Sequence, residues 1–149
     1  MKNKITCLFL LTVIILSCKQ TKTYINRPED KAKALELTKK FYQFLKNRDQ
    51  EGALLLFNLI PNQPQYQAKR VALLETFQNI LNRYGDLKSI ELVSNSSAVV
   101  EAEALHGSYK IEFRSQRDKY QRPLRERFIL KSDNEAIKIM GFKVDSLIK

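Results

Sequence analysis

Apolar residues follow three patterns along this chain. Ile5 to Leu16 is an almost unbroken apolar run; between Pro28 and Tyr84 apolar positions recur at spacings of three and four; from Leu87 onward they alternate. The middle pattern is that of amphipathic helices and the last that of half-buried strands. Pro28-Glu29-Asp30 opens the first helix, with proline in the first turn and two carboxylates near the positive end of the helix dipole. Ala34, Leu37, Phe41, Phe44 and Leu45 then form one stripe, predicting a helix over 28–47. Asp49 is placed to cap a second helix over 50–60, which Pro61 and Pro64 end. A third, over 67–84, carries Val71, Leu74, Phe77, Leu81 and Tyr84 on one face, with Gly85 where a left-handed cap is expected.

The alternating half predicts strands at 88–94, 98–106, 109–116, 123–131 and 136–145. Asn95-Ser96, Gly107-Ser108, a polar loop around Asp118, and Asp133-Asn134 are read as their links. Such short links favour antiparallel hairpins. Helices followed by an antiparallel meander give an α+β domain, with the helices on one face of a sheet of about five strands.

The leading apolar run has a different meaning. About twelve apolar residues fall short of the roughly twenty needed to cross a bilayer, and the basic start at Lys2 and Lys4 completes a secretory signal. Ile15-Leu16-Ser17-Cys18 resembles the lipobox of bacterial lipoproteins, in which a cysteine after a small residue is acylated and becomes the new N-terminus. That resemblance implies a leader over 1–17 and a lipidated Cys18; the polar, aperiodic residues that follow read as a tether, giving lipidated cysteine and tether over 18–27, and the remaining length suits one domain over 28–149. The bilayer is then a partner through acylated Cys18, which holds the protein on the membrane. No acidic run follows Cys18, so the domain is expected to face the periplasm; these residues do not spell out a choice between inner and outer membrane.

Composition narrows the chemistry. The chain has two cysteines, Cys7 in the leader and Cys18, so the folded part has neither thiol nucleophile nor disulfide. A single histidine and scattered carboxylates assemble no metal motif, and no P-loop, dinucleotide fingerprint or serine-hydrolase elbow occurs. Neither cofactor nor metal is expected. Net charge is +10 before the leader is removed, which suits anionic partners; export argues against nucleic acid.

Phe41-Tyr42-Gln43-Phe44-Leu45, Asp49-Gln50-Glu51-Gly52-Ala53 with Leu56-Phe57, Leu81 with Tyr84-Gly85-Asp86-Leu87-Lys88, and Ile137-Lys138-Ile139-Met140-Gly141-Phe142 occur in this order. In that layout the chain resembles the nuclear transport factor 2-like, cystatin-like cone superfamily, particularly its small bacterial envelope members. The resemblance implies a curved sheet wrapped around the long helix, around a cone that members use for catalysis, ligand binding or homodimerisation.

Strand alternation selects what would point into such a cone. Val100, Ala102, Ala104 and His106 share one face, as do Tyr109, Ile111 and Phe113, and Leu124, Glu126, Phe128 and Leu130. The inward polar candidates are His106, Tyr109 and Glu126. His106 with Glu126 would give general acid and base chemistry, but the expected register sets Glu126 opposite Ile111 and His106 opposite Tyr109, roughly 11 to 12 Å apart. No catalytic residue is assigned. The other candidate surface is a basic hairpin, Lys110, Arg114, Arg117, Lys119, Arg122, Arg125, Arg127 and Lys131, with Arg117, Lys119 and Arg122 at its tip. Its arginine forks suit anionic lipid, polysaccharide or an acidic envelope protein; cross-strand pairing of Glu112 with Arg125 and Glu101 with Arg114 would instead make part of it a solvated face. The expected function is a non-enzymatic binding or interaction module. The alternatives are a small acid/base enzyme using the cone, and an accessory protein docking on anionic envelope components.

Overall fold

The computed structural model describes residues 21–102, 104–134 and 136–146. The leader and Cys18 lie outside this range. Elements run β1 (Lys22–Ile25), α1 (Pro28–Lys46), α2 (Gln50–Leu54), α3 (Tyr66–Tyr84), β2 (Leu87–Glu101), β3 (Leu105–Arg117), β4 (Tyr120–Asp133) and β5 (Ala136–Ser146). The strands form one antiparallel sheet in sequence order, open and curved, with register shifts in every pairing from β2 to β5. Such bulges bend a sheet. The fold class is therefore the α+β arrangement expected from the sequence. No helix among the described residues is long and apolar enough to cross a membrane.

Phe41 is the hub of the core. Its ring lies 4.9 to 5.9 Å from those of Tyr42, Phe57, Phe77, Phe128 and Phe142, edge to face in all five, so one side chain of α1 joins α3 to the last two strands. Edge-to-face geometry aims the positive ring edge at the negative ring face. Aromatic packing at this point fixes the helices on the inner face of the sheet.

The sequence expectations differ from the structure in four places. The strand read at 88–94 and the first part of that read at 98–106 are one strand, β2, which ends at Glu101, while Leu105 and His106 already belong to β3; Asn95 is paired opposite Ile111 rather than turning, and its amide donates to the Lys31 carbonyl at 3.0 Å. Gly107-Ser108 lies inside β3, while the real reversal is at Ala102–Ala104, whose Ala102 N–H reaches Ala104 O at 3.2 Å. Gly107 is a close-approach glycine: a Cβ there would collide with Ser132 Oγ and the Tyr109 hydroxyl. The second helix stops at Leu54 because the chain then pairs with β5, Asn58 N–H donating to Ile139 O and Ile139 N–H to Leu56 O; Leu55 is left 73% exposed. Finally, Lys22–Ile25, read as tether, is the edge strand β1 against Ala98–Glu101.

Candidate functional site

Alternation on β4 places Leu124, Glu126, Phe128 and Leu130 inward, as the sequence indicates, and all four are buried. On β3 the inward set is Gly107, Tyr109, Ile111, Phe113, Ser115 and Arg117. Glu126 sits opposite Phe113, not Ile111. Its carboxylate has 0% exposure and accepts four hydrogen bonds. Oε1 takes Ser115 Oγ at 2.5 Å, Arg117 Nε at 3.0 Å and Arg117 Nη2 at 2.9 Å; Oε2 takes the Tyr42 hydroxyl at 2.9 Å. Arg117 Nη1 donates to the Gly85 carbonyl at 3.1 Å. The network joins α1, β3 and β4 to the cap of α3.

This corrects the placement of Arg117. It was expected at an exposed hairpin tip, yet its side chain is 2% exposed, because it continues the inward alternation of Tyr109, Ile111, Phe113 and Ser115. A buried charge needs a partner and satisfied donors, and Glu126 supplies both. Burial first, then the Glu126 charge and hydrogen bond, push the Tyr42 phenol well above its ordinary value. With one oxygen held by Arg117 and Ser115 and the other by the Tyr42 hydroxyl, Glu126 is engaged as the counter-ion of Arg117.

His106 does not join this cluster. It lies opposite Val100 and Asp133 on the outer face, 60% exposed, with Nδ1 3.3 Å from Asp133. Its inward placement assumed a turn at Gly107-Ser108, and the actual turn at Ala102–Ala104 reverses that parity. Tyr109 is inward and buried, its hydroxyl 3.2 Å from Ser132 Oγ. A cleft of about 250 Å³ enters near the network between Lys46, Leu81 and Leu87, with Tyr42 and Arg117 in its lining. Arg48 and Asp86, paired at 2.8 Å, also line it.

Outside, Lys110, Arg114, Lys119, Arg122, Arg125, Arg127 and Lys131 are exposed. Part of the array is paired. Arg125 meets Glu112 at 3.0 Å, as expected, although Glu112 lies opposite Arg127. Arg114 meets Glu91 at 3.5 Å rather than Glu101, and Arg127 and Lys143 share Asp145. Lys110 and Lys131 have no ion pair among the described residues. A concavity of about 680 Å³ opens on this outer face across β2 to β5, between Ser94, Ser96, Lys110, Glu112, Arg127, Gly141 and Lys143. The sequence reading missed Ser94, Ser96, Gly141 and Lys143. A second concavity, about 540 Å³, adjoins Ser108, Lys131 and Lys138. Among the described residues no cluster of three or more His, Cys, Asp or Glu side chains could hold a metal ion.

No family model matches this chain, and no curated protein matches it. Among solved structures, that of Bd1075 from Bdellovibrio bacteriovorus is similar with a TM-score of 0.48 and 14% identity, over 79% of this chain and 41% of that one. The chain thus spans less than half the length of that protein.

Proposed function

We propose that this chain is an exported, lipid-anchored envelope protein whose domain is a non-enzymatic binding module, and that the module binds through the outer face of its sheet. The leader and the lipobox-like Ile15-Leu16-Ser17-Cys18 support export and anchoring. The order of helices before an antiparallel sheet supports the resemblance to the nuclear transport factor 2-like superfamily. The observation that carries the binding reading is a contrast between the two faces of the sheet. Inside, the buried Glu126 carboxylate is engaged by Arg117, Ser115 and Tyr42; outside lies a concavity of about 680 Å³ whose lining includes Lys110, Arg127 and Lys143 beside Glu112.

Gly141 provides the test. A Cβ added there meets nothing within 4 Å, so a large side chain would fill the groove without disturbing the core. The full chain, purified gently in neutral detergent from its own host, is examined by native mass spectrometry. A reproducible adduct lost in Gly141→Trp supports the reading. An adduct that survives Gly141→Trp but is lost when Arg48 is replaced by Ser would move the site to the inner cleft.

A further inference from the structure

On the outer face the register aligns side chains in rows running across the strands. Successive rows are Ser108–Lys131–Lys138, Ser96–Lys110–Ile129–Gly141, Ser94–Glu112–Arg127–Lys143 and Glu91–Arg114–Arg125–Asp145. Same-face residues in a strand are about 6.7 Å apart, so the four rows cover about 20 Å along the strands. Every row carries at least one exposed cation.

Three pairs place like charges directly opposite: Lys131 with Lys138, Arg127 with Lys143, and Arg114 with Arg125. Like charges facing across a sheet are destabilising, so a face arranged for stability alone would alternate signs. Asp145, Glu91 and Glu112 relieve two of the pairs. For the third, Lys138 reaches the Leu55 carbonyl at 2.9 Å; Asp133 lines the same concavity as Lys131 and Lys138 but lies 3.3 Å from His106 Nδ1. The β2 side of the trough is low, built from Ser94, Ser96 and Ala98.

We infer that this face is a track for a linear anionic polysaccharide lying along the strands, its charges taken in turn by Lys131 and Lys138, Lys110, and Arg127 with Lys143. The inference rests on the outer-face reading above and names its ligand. Three observations favour a glycan over other polyanions. None of the side chains in the four rows is aromatic, whereas single-stranded nucleic acid is held by stacking on aromatic rings. β3 and β4 are inner strands paired on both sides, so a peptide laid over them would find no backbone partners for its own N–H and C=O groups. Ser94, Ser96 and Ser108 offer hydroxyls that both donate and accept, matching sugar hydroxyls, and Ile129 gives an apolar seat for a ring face.

The test titrates the full chain in neutral detergent with oligogalacturonides graded from dimer to decamer, with polyglutamate and oligothymidylate as rival polymers. Expected is affinity that rises with length until the ligand spans the four rows and then levels off, and that falls at least about tenfold from low to physiological salt. Lys110→Ser with Lys131→Ser, and separately Gly141→Trp, should each lower it at least tenfold with an unchanged urea midpoint. A dimer bound as tightly as a decamer, or lysine variants that bind like the wild type, would overturn the track. Preference for polyglutamate or oligothymidylate would overturn the glycan assignment. If oligogalacturonides fail while a native adduct remains sensitive to Gly141→Trp, the groove stands and the polyanion track is lost; if that adduct too is insensitive, the outer-face reading fails with it.

Discussion

Arg117 Nη2 lies 2.9 Å from Glu126 Oε1, with both side chains withdrawn from solvent. A carboxylate found by strand alternation, and open to an acid/base interpretation, is thereby a structural counter-ion. Removing one partner of a buried pair leaves an uncompensated charge, which typically costs about 3–5 kcal/mol. Glu126→Leu and Arg117→Met should each lower unfolding free energy by about that amount in urea. The double variant should recover a large part of the loss, since it removes both charges. A loss in the double variant equal to the sum of the two single losses would show that the pair is not coupled.

Tyr42 gives a pH signature. Its phenol is pushed well above its usual range by burial and by Glu126, so above about pH 10 the unfolded chain releases a proton that the folded one keeps. The contribution is fully present below the unfolded value and is lost as pH rises toward the folded one, at up to about 1.4 kcal/mol per pH unit. Tyr42→Phe should flatten this alkaline decline in thermal melts between pH 9 and about pH 11. The same substitution removes a hydrogen bond to a charged group and should cost about 1.5–3 kcal/mol at neutral pH.

Gly107 and Gly141 should respond in opposite ways. Gly107→Ala forces a methyl into Ser132 Oγ and the Tyr109 ring, an overpacking expected to cost about 1–3 kcal/mol. Gly141→Ala meets open space and replaces a strand glycine, so stability should hold within about 0.5 kcal/mol or rise. Comparing the two urea midpoints checks both.

If Cys18 is the lipid carrier, Cys18→Ser should move the protein from the membrane pellet to the soluble envelope fraction while its circular dichroism stays that of the wild type. A variant that remains in the pellet after a carbonate wash would remove the anchor from the proposal.

The two long helices were legible from their stripes, whereas the second helix ends at Leu54, short of Ile60, and Val71 is 48% exposed. Phe41, Phe77 and Tyr84 are buried on the expected stripes and Asp49 accepts from Gly52 N–H at 2.8 Å; Gly85 ends the helix at φ 78° and ψ −160°, a conformation for glycine but not the left-handed cap expected. In the sheet, local turn chemistry misled. Asn95-Ser96 and Gly107-Ser108 carry turn residues yet lie within strands, while Ala102–Ala104 turns without Gly, Pro, Asn or Asp. One misplaced turn set His106 on the wrong face. Arg117, by contrast, was readable: counting by twos from Tyr109 through Ser115 lands on it. Tyr42 was harder to find, because its meeting with Glu126 joins α1 to β4 and depends on tertiary packing.

The hub at Phe41 also sets an order of events during synthesis. Its partners Phe128 and Phe142 belong to β4 and β5, so the first helix emerges long before the surfaces that cover it. Contacts this distant in sequence close late, and a chain missing β5 would leave Phe41 and Phe57 without their lid. The polypeptide therefore stays threadable until its final strand arrives, and a truncation before Gly141 should yield a protease-sensitive chain rather than a smaller domain.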